Sequence, residues 1–267
     1  MKTQNQTNLL GFPAIANFSG IGKQFPQDRI SLCQQLLDEQ GFFLLKELPD
    51  DFEVGRFLEN FGNLIPQHEG EYVYSVKFAV GFENYSDSKS TNSLTPHTDG
   101  SDFAIPPHWM ALFGVQPATC GGGQTLLADG YQFISSLDSH TQEQLRTRIY
   151  SFKSSKGIHS KRTHAVESPL LSNLPEVNRP IFRFSQNLLL HGDYSAPINH
   201  AAIEADFFTQ KVCEQLATFF NTHYISILIN CNDLLVWDNW RMIHSRTQYC
   251  DPTRHLLRYW ISHGHTP

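Results

Sequence analysis

No apolar run in the sequence approaches the roughly 18 residues that a membrane-spanning helix requires, so a chain that crosses a bilayer is not expected. The opening stretch, "MKTQNQTNLLGFPAIANF", carries one Lys and no apolar core of signal-peptide length, and the expected location is the cytoplasm. Cysteine is scarce and unpatterned. Cys33, Cys120, Cys213, Cys231 and Cys250 make an odd set of 5 with no Cys-x-x-Cys spacing, which points to a reducing compartment. Positive charge is also in short supply: 20 Lys and Arg stand against 26 Asp and Glu, a formal net charge of −6. Nucleic acid or an anionic membrane would want clustered basic residues, so neither is an expected partner. A small molecule is. Internal repeats and low-complexity tracts are missing, and no G-x-S-x-G nucleophile elbow occurs.

What the chain does have is ordinary globular material. Hydrophobic residues make up 40% and charged residues 17% of 267 residues, enough apolar surface for a sizeable core, and one domain over residues 1–267 is expected. Ile30, Leu32, Cys33, Leu36 and Leu37 recur at helical spacing, and Gly41 stands where a helix would stop. The run "GFFLLKEL" then reads as a strand. A second helix is predicted in "DDFEVGRFLENFG", with Asp50 or Asp51 as its cap, Phe52, Phe57, Leu58 and Phe61 buried, and Gly62 as its stop.

From Tyr72 the texture changes to short β-rich runs such as "EYVYSVKFAVGF", "HWMALFGVQ", "RPIFRFS" and "DLLVWD", separated by Pro, Gly, Ser and Asn. That pattern predicts a β-sandwich or jelly roll. Two helical stretches interrupt it, one over residues 130–148 and one over 199–223 capped by Asn199, with Phe207 among its buried residues. "ENYSDSKSTNSLTP" and "SSKGIHSKRTHAVESPLLSNLPEVN" read as long loops, of the kind that form lids and flaps. The expected fold class is mostly β with flanking helices.

The stretch "LTPHTDGSDF" concentrates chemistry. On a strand, side chains at i and i+2 share a face, so His97 and Asp99 can aim an imidazole and a carboxylate at one point. Two histidines and one carboxylate on one face of an octahedron suit Fe(II) and leave positions open for substrate and oxygen. Spacing alone does not choose the site, because His191-Gly192-Asp193 repeats the pattern; Gly192, however, favours a turn over a strand. The C-terminal stretch "DLLVWDNWRMIHSRTQYCDPTRHLLRYWI" supplies a further histidine, His244, and then Arg254 and Arg258, four apart on a predicted strand and so facing the same barrel mouth. The planar fork of Arg suits carboxylates.

Taken in order, "PHTDG", "GGGQTLLAD", "LLVWDNWRMIHSR" and "RHLLRYWI" resemble the Fe(II)/2-oxoglutarate-dependent oxygenases of the taurine dioxygenase (TauD/TfdA) group, which includes carbapenem synthase-like and clavaminate synthase-like enzymes. The resemblance extends loosely over most of the chain. It implies a double-stranded β-helix, a jelly-roll core of cupin-like type. It implies His97, Asp99 and His244 as catalytic iron ligands, and Thr125 and Arg254 as the holders of the distal C5 carboxylate of 2-oxoglutarate. Arg258 is then expected at the C1 carboxylate or at an anionic group of the substrate, and Arg246 is a further candidate to face the cosubstrate. The cofactors implied are Fe(II), 2-oxoglutarate and O2, with succinate and CO2 released.

Asp99 closes off halogenation, since halogenating relatives replace this carboxylate with a small residue. Hydroxylation is the expected reaction, with desaturation or ring closure as variants on the same ligands. The expected substrate is a small amino-acid-like or other anionic metabolite, with Arg258 and Arg183 as candidate receivers of its carboxylate and a polar flap at Asn92 and Ser93 closing over it. The alternative reading is a cupin-like metal-binding isomerase or ligand-binding module, which would keep His97, Asp99 and His244 and have no use for Thr125 and the arginine pair.

Overall fold

The computed structural model describes residues 15–17, 26–67, 70–153, 165–174, 177–198 and 205–264. The chain opens with strand β1 (Ile15–Asn17), helix α1 (Gln27–Gln40), β2 (Phe42–Lys46) and α2 (Val54–Leu58), the helix–strand–helix order expected. Strands β3 (Leu64–Ile65), β4 (Val73–Lys77), β5 (Leu94–His97), β6 (Trp109–Gln116) and β7 (Thr125–Asp129) follow. Helices α3 (Gly130–Ser136) and α4 (Ser139–Thr147) lead to β8 (Ile149–Lys153), β9 (Ala165–Pro169), β10 (Leu171–Leu174) and β11 (Val177–Phe182). The chain closes with α5 (Gln186–His191), α6 (Phe207–His223), β12 (Ile225–Ile227), β13 (Leu234–Asp238), β14 (Met242–Arg246) and β15 (His255–Ile261).

Two sheets make the core. The larger runs β1-β2-β13-β6-β15-β3, with β4 also on β15, and the smaller runs β12-β7-β14-β5. Within β13 the side-chain alternation of a strand sorts residues by face. Leu234 and Val236 pack outward against α1 and α2, with Ile30, Leu37, Phe57 and Leu58. Leu235 and Trp237 point inward, where Met110, Leu112 and Trp260 of the large sheet meet Leu127 and Met242 of the small one. The small sheet's other face, through Ala128 and Ile243, is covered by α3, α5 and α6. Helices outside two facing sheets is the double-stranded β-helix expected, and its interior is the space between the sheets.

Several local expectations are corrected. The first helix stops at Gly41 as expected, but the second differs: α2 spans only Val54–Leu58, with Glu53 before it and Glu59 after it, and the Asp50 carboxylate is occupied by Asn232 Nδ2 at 2.7 Å. The stretch 130–148 is two helices, since Leu137 is extended and Asp138 caps a new start by accepting from Thr141 N at 2.9 Å. The long helix begins at Phe207 and is capped by Asp206, and Phe207 is exposed; Asn199 lies outside the described residues. Part of the long middle loop forms β9 and β10, each in a hairpin-like pair with β8 and β11. Its residues 154–164 and 175–176 lie outside the described residues. Among the described residues no helix is long and apolar enough to cross a membrane.

Candidate metal centre and cosubstrate pocket

Sheet register carries the first pair of candidate ligands together. His244 of β14 sits directly opposite His97 of β5, and their ring centroids are 4.1 Å apart. Asp99 arrives differently from the expectation of a shared strand face. β5 ends at His97, and a turn folds Asp99 back toward the two rings. Asn239 holds that turn: its Oδ1 accepts from Asp99 N at 2.8 Å, while its Nδ2 donates to Asp99 O at 3.0 Å and Pro107 O at 2.9 Å. Gly100 adopts φ +66 there, and a Cβ on it would lie 2.5 Å from Pro107 Cδ, so the turn requires glycine.

The result is one cluster. Among the described residues, His97, Asp99 and His244 are the group of histidine and carboxylate side chains able to hold a metal ion, with ligand atoms within 4.8 Å of one another. Asp99 Oδ1 lies 3.4 Å from His97 Nε2 and 3.8 Å from His244 Nε2. Adjacent ligands on an ion with bonds of about 2.1 Å lie about 3 Å apart, so a small inward adjustment closes the set. The chemistry of the donors fits a ferrous ion: two imidazoles and one carboxylate on one side, nothing softer and no thiolate.

The protonation states fit as well. His97 Nδ1 is 2.7 Å from the Thr95 carbonyl, which makes Nδ1 the protonated nitrogen and leaves the Nε2 lone pair for the metal. Burial pushes the His244 imidazole down to about 3, helped by the neighbouring His97, so the ring is neutral near pH 7. Its orientation comes from packing between His97 and Trp237, whose ring centroid is 5.0 Å away. For Asp99, burial acts upward, but the Arg258 guanidinium and the two histidines outweigh it and hold the carboxyl well below the usual carboxylate range.

Arg258, expected nearer the metal than Arg254, lies against one of the candidate ligands and lines the cavity. Its Nη1 donates to Asp99 Oδ2 at 2.9 Å, and Trp260 Nε1 joins the same oxygen at 3.2 Å. Gln67 then fixes Arg258 twice, accepting from its Nε at 2.8 Å and donating to its carbonyl at 2.8 Å. These contacts position Asp99, and the same guanidinium lines the cavity.

Arg254 and Thr125 line the same cavity beside His97, Asp99 and His244. Arg254 precedes β15 and is buried; its Nη2 donates to Gly123 O at 3.1 Å, and its Nη1 is buried with no hydrogen-bond partner. A buried donor without a partner is costly, and a carboxylate is the group that best satisfies it. Thr125, at the start of β7, is 3% exposed. The two residues therefore fit the distal carboxylate of 2-oxoglutarate.

Two other expected arginines have structural employment. Arg246 lines the cavity, yet its Nη2 donates to Ser90 O at 2.8 Å and Asn92 O at 2.5 Å, tying down the segment that holds Asn92 and Ser93. Arg183 donates to Ser101 O, Phe103 O and Ala104 O at 3.0, 2.8 and 2.6 Å, behind the Asp99 turn. The competing motif joins no metal-capable cluster among the described residues: His191 ends α5, and Gly192 is its left-handed C-cap at φ 74. Sequence reasoning missed Asn239, Gln67 and Trp260, which act only through residues distant in the chain. It also missed Asp87, Asp102, Asn187 and Tyr194, which line the cavity.

A family model described as "Taurine catabolism dioxygenase TauD, TfdA family" matches residues 14–260. No curated protein matches the chain. Many solved structures share its fold, three of them as follows. Asparagine oxygenase in complex with Fe(II), 2S,3S-3-hydroxyasparagine and succinate is similar at TM-score 0.72 and 14% identity, over 90% of this chain and 81% of that one. The non-heme iron oxygenase OrfP in complex with Fe and alpha-ketoglutaric acid is similar at TM-score 0.65 and 16% identity, over 89% and 81%. PvcB, an Fe, alpha-ketoglutarate dependent oxygenase from an isonitrile synthetic pathway, is similar at TM-score 0.60 and 18% identity, over 90% and 81%.

Proposed function

The chain belongs to the TauD/TfdA family of 2-oxoglutarate-dependent non-haem iron dioxygenases, and we propose that His97, Asp99 and His244 hold its ferrous ion while Arg254 and Thr125 hold the C5 carboxylate of 2-oxoglutarate. The observation that carries this reading is the convergence of three ligand atoms within 4.8 Å on the wall of a cavity that also contains a buried, unpartnered guanidinium nitrogen. A metal-binding module without oxygenase activity would have no use for the second feature.

Bound iron supplies O2 activation coupled to decarboxylation of 2-oxoglutarate to succinate and CO2. The protein's part is geometric and electrostatic. His97 and His244 present their Nε2 atoms, and Asp99 presents Oδ1 because Arg258 and Trp260 occupy Oδ2. Leu94, Met110, Leu112 and Trp237 give the cavity apolar walls, which limit water beside the reacting centre.

The substrate in this reading is a small amino-acid-like molecule, and the reaction is hydroxylation of one of its C–H bonds. Asp87 and Asp102 line the cavity with Asn187 and Tyr194, a set whose charge suits an ammonium group. Arg258 supplies the cation for its carboxylate. The similar folds of asparagine oxygenase, in complex with 2S,3S-3-hydroxyasparagine, and of OrfP, in complex with (3S)-hydroxy-L-Arg, support the same class.

The test is in two parts. Anaerobic addition of Fe(II) and 2-oxoglutarate should give the weak visible charge-transfer band of the chelate, which metal binding alone does not produce. A panel of amino acids should then include members that stimulate succinate release. Absence of the band would remove the oxygenase site, and stimulation only by amine-free acids would remove the substrate class.

A further inference from the structure

The two loops that embrace Arg254 each carry an exposed cysteine, and these meet. Cys120 lies in the β6–β7 turn and Cys250 in the β14–β15 loop, and Cys250 N donates to Cys120 Sγ at 3.0 Å. The chain positions flanking them are clamped: Asp251 Oδ2 accepts from Thr119 N at 3.1 Å and from Thr119 Oγ1 at 2.7 Å. Two thiols 130 residues apart in sequence are thus held in register by hydrogen bonds of their immediate neighbours.

We propose that Cys120 and Cys250 form a reversible dithiol–disulfide site, oxidised by hydrogen peroxide and reset by a dithiol, whose closure weakens 2-oxoglutarate binding through Arg254. The last clause rests on the reading that Arg254 holds the cosubstrate; the chemistry of the pair does not.

Cys120 is the attacking sulfur. The hydrogen bonds from Cys250, side chain first and then backbone, bring its thiol down to about 7, while Cys250 is raised by the same contact. An exposed, acidic thiol beside a second thiol is the arrangement that oxidant-responsive cysteines share. In the first step the Cys120 thiolate attacks one peroxide oxygen: an S–O bond forms, the O–O bond breaks, and the hydroxide released takes up a proton to leave as water. In the second the Cys250 sulfur displaces that hydroxyl: an S–S bond forms, the S–O bond breaks, and a second water leaves. The two thiols lose two electrons and the peroxide gains them.

The coupling follows from space. A disulfide of about 2.05 Å is shorter than any contact between two thiols, so closing it draws the loops together. They have no slack. A Cβ on Gly122 would stand 2.1 Å from Gln248 O, and one on Gly123 would stand 2.9 Å from Arg254 Nε. The displacement therefore falls on Arg254, which hangs from Gly123 O and packs on Tyr249 at 5.1 Å.

The experiment treats the metal-free protein with hydrogen peroxide, quenches it, alkylates all thiols and maps the peptides. The expected result is a Cys120–Cys250 cross-link, loss of two hydrogens in the intact mass, and reversal by dithiothreitol. Exposed Cys231 and buried Cys33 and Cys213 serve as internal references and should stay alkylatable. Cys250→Ser should stop at a Cys120 sulfenic acid that dimedone captures. Peroxide that leaves Cys120 no more reactive than Cys231, or yields no cross-link, overturns the site. On reloading with iron, the cross-linked protein should need about fivefold or more additional 2-oxoglutarate for half-maximal turnover, and Cys120→Ser treated alike should need none. A cross-link with an unchanged requirement overturns the coupling, and Arg254→Ala shows separately whether Arg254 holds the cosubstrate.

Discussion

Arg258 Nη1 and Asp99 Oδ2 stand 2.9 Å apart, and this contact turns the other carboxylate oxygen toward His97 and His244. An Arg258→Met change keeps bulk against Tyr74 and Trp260 and removes the donor. Outer partners of metal ligands are typically worth about 10–100-fold in metal affinity, and a loss of that size is expected for Fe(II) in an anaerobic titration. Wild-type affinity in the variant would mean that Asp99 is oriented without Arg258.

Arg254→Ala should act on the cosubstrate alone. A charge-assisted hydrogen bond is worth about 1.5–3 kcal/mol, so the 2-oxoglutarate concentration for half-maximal succinate release should rise about 10-fold or more while Fe(II) affinity holds. Thr125→Val should move the same quantity by less. An unchanged requirement in both would assign the distal carboxylate to other residues.

Asn239 satisfies the Asp99 N–H and the carbonyls of Asp99 and Pro107 in a buried place. Asn239→Ala leaves them unpartnered, which should cost about 1–3 kcal/mol in urea denaturation and loosen Fe(II) binding at the same time. Stability lost with metal affinity intact would separate the turn from the metal site.

His108 gives the pH dependence. Its ring is stacked between Trp109 at 3.7 Å and Trp240 at 4.0 Å, and burial, with His263 and Arg179 nearby, pushes it down to about 2. The unfolded chain takes up this proton near pH 6.5 and the folded one does not, so the stability this residue contributes is complete above pH 6.5 and is lost as pH drops below it, whereas Asp238, 3.7 Å away and pushed up to about 7 by burial, acts in the opposite sense. The slope from this residue approaches about 1.4 kcal/mol per pH unit well below 6.5. His108→Phe should show a shallower acid slope by urea midpoints at pH 6.5 and 5.0, and identical slopes would mean that the proton is accommodated in the fold.

Much of this was legible in the chain. The family resemblance singles out His97, Asp99 and His244, which the fold brings together, and the short β-rich runs predict a β-sandwich or jelly roll. Gly41 ends α1 as local rules predict, whereas the start of α2 departs from them because a tertiary partner, Asn232 on Asp50, claims a side chain that local rules assign to a cap. The arginines divide in the same way. Arg254, Arg258, Arg246 and Arg183 look alike in sequence, and only the folded chain leaves one with a buried Nη1 that has no hydrogen-bond partner, sets one against Asp99 and ties two to backbone carbonyls. Asn239 carries no signal at all, since its partners lie 140 and 132 residues away.

The central claim is a single ion at three side chains. A crystal grown with Mn(II), an oxygen-stable stand-in for Fe(II), and 2-oxoglutarate should show one anomalous peak bonded to His97 Nε2, Asp99 Oδ1 and His244 Nε2, with the cosubstrate's distal carboxylate on Arg254. A peak bonded elsewhere, or these three side chains turned apart around an empty centre, would contradict it.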